Sequence, residues 1–354
     1  MKKPLFTFVI PAYNGAPFID ESIHSLINNR ILNINIHLYY EIIVINDGST
    51  DNTIAKANAH AKYWNEKTRP DFIRVIDKEN GQYGSVINKG IQEANGVYFK
   101  VLDVDDTFHQ TSLIELIKIV SGLPKKPDVI FTDHVYEKVE VNTRESQTLR
   151  LTFVPYKLME IKEVIWPTDL VTMHSVIYRL DLLKNINYKQ IEGVYYSDSQ
   201  YSLIPLAYAN TMYYINIPLY RYYIGRGEQS INLKVMLRNR IHQLKVLEKI
   251  WSDINFEFNT SNNLKKYFRT VLKQMAQWQI MLISFDTSIK HKPKYLLDLL
   301  KVLKSLQPKE YRKITNNIIF WMLRLTRGHG MPTLLKIGTK IYSKFKKNIL
   351  AEWD

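Results

Sequence analysis

Phe6-Thr7-Phe8-Val9-Ile10, followed at once by Pro11-Ala12-Tyr13-Asn14, is the first of four apolar runs that each end in a polar turn. The others are Glu41–Ile45 before Asn46-Asp47-Gly48-Ser49, Phe72–Ile76 before Asp77-Lys78, and Val97–Leu102 before Asp103-Val104-Asp105-Asp106. Amphipathic stretches at 17–29, 51–64, 83–94 and 111–120 follow them in turn. Strand-like and helix-like periods alternate and β-branched residues fill the strands, which predicts an α/β fold with a doubly wound sheet, parallel at least in its first half. Ligands of such sheets sit at the carboxyl ends of the strands, so the four polar turns are the expected functional positions.

Past Val129–Thr132 the rhythm changes. Val135–Val141 and Leu149–Val154 read as strands joined by a turn at Asn142-Thr143-Arg144-Glu145, an antiparallel addition to the sheet. Residues 166–230 mix short strands and helices, and from Asn232 the pattern is helical, interrupted at Ser261-Asn262-Asn263, Pro293, Pro308 and 328–332. A boundary near residue 230 separates an α/β domain, 1–230, from a helical C-terminal region, 231–354.

The 354 residues are 45% hydrophobic and 23% charged, enough to bury a core, which excludes a disordered chain. No cysteine is present, which removes disulfides, thiolate zinc sites and a cysteine nucleophile and fits a reducing compartment. The apolar stretch after Met1-Lys2-Lys3 is too short for a signal-peptide core, and Ile318–Leu323 is far short of the roughly 20 residues that cross a bilayer. The net charge of +14 is uneven, with −2 over residues 1–230 and +16 over 231–354. A basic C-terminal third implies an anionic partner, phospholipid or nucleic acid, or else a solvated surface.

Carboxylates at 103 and 105, directly after a strand, can both face a strand-end cleft, and hard oxygen ligands of this kind suit Mg²⁺ or Mn²⁺. The competing reading is an acidic turn in which Asp106 or Thr107 caps the next helix. Gly48 permits a tight turn that leaves Asp47 free to accept an amide or imide N–H, and Tyr13 can stack on a flat base or serve in packing. Asp198, in Tyr195-Tyr196-Ser197-Asp198, precedes the apolar stretch Tyr201–Tyr208 and reads as a general base or as a helix cap. His174 reads as an acceptor-side or metal-ligating group, or as a hydrogen-bonded core residue. His24, His37 and His60 have no partners at ligand spacing, and no zinc site is expected.

Taken together, Pro11-Ala12-Tyr13-Asn14, Asn46-Asp47-Gly48-Ser49-Thr50-Asp51, the stretch Asn80–Ile91 and Asp103-Val104-Asp105 resemble, in order and spacing, the motifs of the family 2 glycosyltransferases of the GT-A fold. The resemblance covers roughly residues 5–230. It implies a GT-A nucleotide-diphospho-sugar transferase fold, a Rossmann-like mixed sheet, and an inverting transfer of a sugar from a nucleotide-diphosphate donor to a hydroxyl of a saccharide, lipid-linked or glycoprotein acceptor in cell-surface polysaccharide or glycoconjugate synthesis. Residue by residue it puts Pro11, Tyr13 and Asp47 at the base, Asp103 near the ribose, Asp105 on Mn²⁺ or Mg²⁺, and Asp198 as the base. Lys78, Lys89 and Arg226 supply positive charge, with Arg226 in a segment that closes over the diphosphate. Two departures stand out: Asn46 replaces a usual aspartate, and Ser197 replaces the first acid of the family's E-D pair.

Residues 331–349 set Leu334, Leu335, Ile337, Ile341 and Phe345 among five lysines, a basic amphipathic pattern. With Trp321, Arg324 and Arg327 it either lies on an anionic membrane surface through residues 318–349 or packs on the catalytic domain. The expected location is the cytoplasm, free or peripheral at the inner face of the cell membrane. Two other functions compete. A nucleotidyltransferase would want a glycine-rich basic loop after the first strand, where Pro11–Gly15 supplies neither, and nucleic acid is disfavoured as a partner because no recognised binding motif lies in the basic region.

Overall fold

A computed structural model describes residues 3–150, 152–225, 233–254, 256 and 261–336. Ten strands form one mixed sheet: β1 (Phe6–Ala12), β2 (Tyr40–Asp47), β3 (Ile73–Lys78), β4 (Tyr98–Val101), β5 (Thr107–Phe108), β6 (Val129–Lys138), β7 (Thr143–Gln147), β8 (Leu158–Glu160), β9 (Val176–Arg179) and β10 (Thr211–Ile224). Their order is β3-β2-β1-β4-β9-β6-β10-β5, with β7 paired to β6 and β8 to β10. The strands β1 to β4 pair in parallel, β9 runs antiparallel between β4 and β6, and β10 is parallel to β6. The chain thus winds outward from β1 through β2 to β3 and returns to β4 on the other side of β1. That switch point opens a crevice at the carboxyl ends of β1 and β4.

The helices are α1 (Ile19–Leu26), α2 (Asn29–Asn33), α3 (Thr53–Lys67), α4 (Gln82–Glu93), α5 (Gln110–Gly122), α6 (Leu180–Asn185), α7 (Asp198–Leu203), α8 (Leu233–Arg238), α9 (Arg240–Asp253), α10 (Asn262–Phe285), α11 (Lys292–Leu306), α12 (Pro308–Ile314) and α13 (Ile318–Leu325). Alternation along the strands splits the core between the two faces. Phe6, Phe8, Ile42 and Val44 pack with α1, α3 and α5, whereas Val9, Ile43, Phe99 and Val101 pack with α4 and α7. The second cluster continues without a break into Trp251, Leu264, Tyr267 and Phe320 of the C-terminal helices. Pro293 and Pro308 stand in the first turns of α11 and α12, where a missing N–H costs nothing, so these interruptions are helix starts.

Two expectations are corrected. The hairpin partner of β6 is β7, so Thr143, Arg144 and Glu145 are strand residues, not the turn. This edge strand is exposed and held by cross-strand ion pairs, Lys138–Glu145 at 2.7 Å and Arg144–Glu137 at 2.9 Å, and therefore carries no apolar alternation. The helix after Asp106 begins only at Gln110, with β5 between, so neither Asp106 nor Thr107 caps it.

The approach of α4 to the 190–193 loop is close enough to require glycine at 84: a Cβ there would lie 1.9 Å from the carbonyl oxygen of Ile191. Gly84→Ala is expected to destabilise the protein by about 2–3 kcal/mol, the scale of overpacking a rigid contact. A thermal or urea melt equal to that of the wild type would show that the loop yields.

Candidate active site

A cleft of about 510 Å³ occupies the switch point and is lined by Pro11, Tyr13, Asp47, Asp103, Asp105, His174 and Asp198. A larger surface hollow, about 1180 Å³, lies at the opposite, amino ends of the strands and is lined by none of these residues.

The first two turns are tied together by their own polar groups. Asn14 Oδ1 accepts from the Thr50 N–H at 2.9 Å, and the Asn14 N–H donates to Ser49 Oγ at 2.9 Å. The Gly15 and Ala16 N–H groups donate to Thr53 Oγ1 and Asp51 Oδ2 at 2.8 and 3.1 Å. Asn14, Ser49, Thr50 and Asp51 are thereby accounted for as loop ties, which leaves Tyr13, 53% exposed, free to present its ring to the cleft. Gly48 adopts φ +72°, and a Cβ there would meet the Asn80 backbone N at 2.9 Å, so glycine is needed twice over. Asn46, at the departure from the resembled motif, is buried and donates to Asp77 at 2.7 Å.

Asp47 is buried and engaged. It accepts from Lys78 Nζ at 2.6 Å and from the Gly81 N–H at 3.0 Å. Lys78 also donates to Ser85 Oγ at 2.9 Å, so its charge is spent on Asp47 beside the cleft, and Lys89 pairs with Glu93 at 2.7 Å outside it. Arg226 lies outside the described residues.

The carboxylates after β4 are the electrostatic centre. Burial first, then the neighbouring charge of Asp105, pushes the Asp103 carboxyl up to about 7, against the Tyr83 hydroxyl that donates to it at 3.0 Å. Asp106, which sequence reasoning treated as a cap, turns inward. It accepts from the Tyr220 hydroxyl at 2.8 Å and the Tyr223 N–H at 2.9 Å, and burial and its acidic neighbours push its carboxyl well above the usual range. His174, just before β9, reaches the same end of the sheet because β9 runs antiparallel to β4. Its ring stacks on Tyr222 at 4.3 Å between centroids, and burial together with His134 and Lys100 holds it neutral, the form that binds metal.

Ligand atoms of Asp103, Asp106 and His174 lie within 4.8 Å of one another. Two carboxylates forced toward neutrality by burial and by neighbouring acidic charge, beside a neutral imidazole, are a donor set that a divalent cation fits. The set contains His174 and Asp106 but not Asp105, the residue that the resemblance puts on the metal.

Lys100 is the residue that sequence reasoning missed altogether. Fully buried in β4, its ammonium donates to the carbonyls of Met173, His174 and Val176 at 2.9, 2.6 and 3.1 Å and so clamps the segment that carries His174. The available signal was a lysine in an otherwise apolar run, Tyr98–Leu102.

Asp198 opens α7 and is half-buried at the other side of the lining, with its carboxyl raised by burial. Ser197, at the departure from the E-D pair, is fully buried and accepts from Gln190 Nε2 at 2.9 Å.

The family model for glycosyl transferase family 2 matches residues 7–186, which contain both tied turns, the carboxylates after β4 and His174. The chain belongs to that family. This glycosyltransferase is 25% identical over 347 residues to an uncharacterized glycosyltransferase of Rickettsia typhi, covering 98% of this chain and 97% of that one. It is also 25% identical over 304 residues to the uncharacterized glycosyltransferase EpsJ of Bacillus subtilis, with 76% and 83% covered. Among solved structures, S. aureus TarS 1-349 in complex with UDP-GlcNAc superposes with a TM-score of 0.66 at 16% identity, covering 94% of this chain and 92% of that one. The likeness shows the GT-A type of fold. Membership selects the glycosyltransferase reading over nucleotidyl transfer and nucleic-acid binding.

Two outcomes are expected of this glycosyltransferase. Lys100→Met leaves three buried carbonyls without their donor and should cost about 3 kcal/mol of stability in a denaturant melt, while weakening Mn²⁺ binding in calorimetry. Asp103 holds a proton more readily folded than unfolded, so its contribution is favourable at low pH and is lost as pH rises from about 4 to about 7. A bound cation reverses that loss. Mn²⁺ should therefore raise the melting temperature more at pH 8 than at pH 5, and equal shifts would place the ion elsewhere.

Proposed function

We infer that the protein transfers a sugar, with inversion, from a nucleotide-diphosphate sugar to a hydroxyl of a cell-surface polysaccharide or glycoconjugate acceptor. The observation that carries this reading is the single cleft shared by Tyr13, Asp47, Asp103, Asp105 and Asp198. Support for the donor comes from the TarS complex with UDP-GlcNAc and from a Pyrobaculum calidifontis mannosyltransferase in complex with GDP-Man and Mn²⁺, of TM-score 0.50 and 13% identity.

In this reading residues 1–230 carry the chemistry. Tyr13 stacks on the base, and Asp47, fixed by Lys78, sits at the base's edge beside Pro11. Asp103 and Asp105 face the ribose and diphosphate, and Arg226 neutralises phosphate charge. Mn²⁺ or Mg²⁺ held by Asp103, Asp106 and His174, with Asp105 beside them, would offset the charge that grows on the departing diphosphate. Asp198 takes the proton of the acceptor hydroxyl as that oxygen bonds to the anomeric carbon and the bond from carbon to phosphate oxygen breaks. One carboxylate suffices for such a single displacement, whose outcome is inversion.

Residues 231–354 are the basic helical region. On α13, Ile318, Trp321 and Leu325 form one stripe at helical spacing and are 71, 54 and 79% exposed. No helix among the described residues is long and apolar enough to cross a membrane, so we read this stripe as part of a peripheral contact with anionic lipid at the inner face of the cell membrane. Residues 337–349 of the basic amphipathic segment lie outside the described residues.

Calorimetry with UDP, GDP, CDP and dTDP, each with and without Mn²⁺, is expected to show one diphosphate binding only with metal and losing that binding in Asp105→Ala and Asp103→Asn. Asp198→Asn should keep donor binding and lose transfer by at least about 10³-fold, as removal of a base does. Because burial raises the Asp198 carboxyl, the acidic limb of kcat/KM should lie above that of a solvent-exposed aspartate and vanish in Asp198→Asn; a limb unchanged in that variant would remove Asp198 from the role. Cosedimentation with vesicles rich in phosphatidylglycerol should fall in a Trp321→Ser, Leu325→Ser double variant, and unchanged pelleting would assign the stripe to another use.

A further inference from the structure

A second cavity, about 360 Å³, opens where α9 and α10 pack against the α7 segment, and Tyr196, Asp198 and Met236 line both it and the cleft. Its walls are Leu170, Val246, Leu247, Met275 and Trp278, and the single charged side chain in its lining is Asp198. Among the described residues no lysine or arginine borders it. Gln243 also lines it, is 8% exposed, and has its orientation fixed through Oε1, which accepts from Trp278 Nε1 at 3.1 Å and from Gln279 Nε2 at 3.5 Å. The Gln243 Nε2 donor is directed at the Tyr196 hydroxyl but makes no hydrogen bond of good geometry, a rare condition for a buried amide.

We propose that this cavity is an acceptor subsite for an apolar group joined to the reacting sugar without an intervening phosphate, as in a glycolipid or alkyl glycoside, with Gln243 Nε2 donating to an oxygen at the junction. The inference rests on the transferase reading, since it takes Asp198 to be the group that meets the acceptor hydroxyl. Three features fix the chemistry of the ligand. Continuity with the cleft at Asp198 places the cavity within reach of the sugar that carries the reacting hydroxyl. Apolar walls with two methionines adapt to chains of irregular shape and reject charge. The absence of a bordering cation leaves a phosphate in the cavity without a partner, beside a carboxylate that would repel it.

The test measures binding of methyl, butyl, hexyl and octyl β-D-glucoside, each below its micelle-forming concentration, to the full chain. Affinity should rise by about fourfold for each methylene buried, until the cavity is full, and Met275→Trp should abolish the gain beyond the methyl compound. In the wild type, an octyl glucoside with a diazirine at the chain end should label peptides between Met236 and Gln279. Affinity independent of chain length, the same gain in Met275→Trp, or label confined to α13 would overturn the subsite. The diphosphate screen on the same sample separates the two readings. Metal-dependent diphosphate binding without a chain-length effect leaves the transferase and removes the subsite, whereas a chain-length effect without diphosphate binding removes the transferase and the acceptor role with it.

Discussion

Three carboxylates within four residues at the end of β4 must coexist in a partly buried cleft, and much of the surrounding structure answers that repulsion. Asp103 and Asp106 both hold their protons above the usual range because burial and the charge of neighbouring carboxylates, Asp105 first, work together. The compensating donors come from elsewhere in the chain: Tyr83 from α4, and the Tyr220 hydroxyl and Tyr223 N–H from β10. This gives β10 its importance. Its 14 residues pair with β5, β6 and β8, and the far end of that ladder delivers Tyr220 and Tyr223 to Asp106. The Lys100 ammonium completes the arrangement from beneath by fixing the carbonyls around His174.

The first half of the fold was legible because each strand there is short, apolar and followed by a polar turn, so periodicity and the strand-end rule point to the same residues. Tyr13, Asp47, Asp103, Asp105, His174 and Asp198 do share one cleft. What the sequence left unread depended on pairing between distant segments. Asp106 looks like a helix cap unless one knows that two residues of β5 follow it and pair with β10. Lys78 looks like a free cation until Asp47 is placed 2.6 Å away. The β7 strand was missed because ion pairs hold it, and ion pairs leave no hydrophobic period to read.

The C-terminal region was legible as helical and basic, but its relation to the site was not. Its buried stripe does not merely cover the sheet: Tyr267 of α10 accepts from the Val171 N–H at 3.0 Å and stacks near Trp166 at 5.2 Å, so α10 supports the segment leading to His174. The same helices wall the cavity at Asp198. Positive charge and apolar packing therefore belong to different faces of one region, which composition alone averages together.

The placement of Asp198 follows from this division. One side of it is polar, open to the carboxylates and the donor loops, and the other is walled by Met275, Trp278 and Val246. A carboxylate between a charged cleft and an apolar wall loses hydration on the wall side, and that loss raises its proton affinity. In the proposed role, a carboxylate of raised proton affinity removes a hydroxyl proton more readily than a fully solvated one, once ionised. In the proposed role of Asp198 as base, the apolar wall supplied by α9 and α10 raises its proton affinity, and the packing of these helices would enter the chemistry in that way.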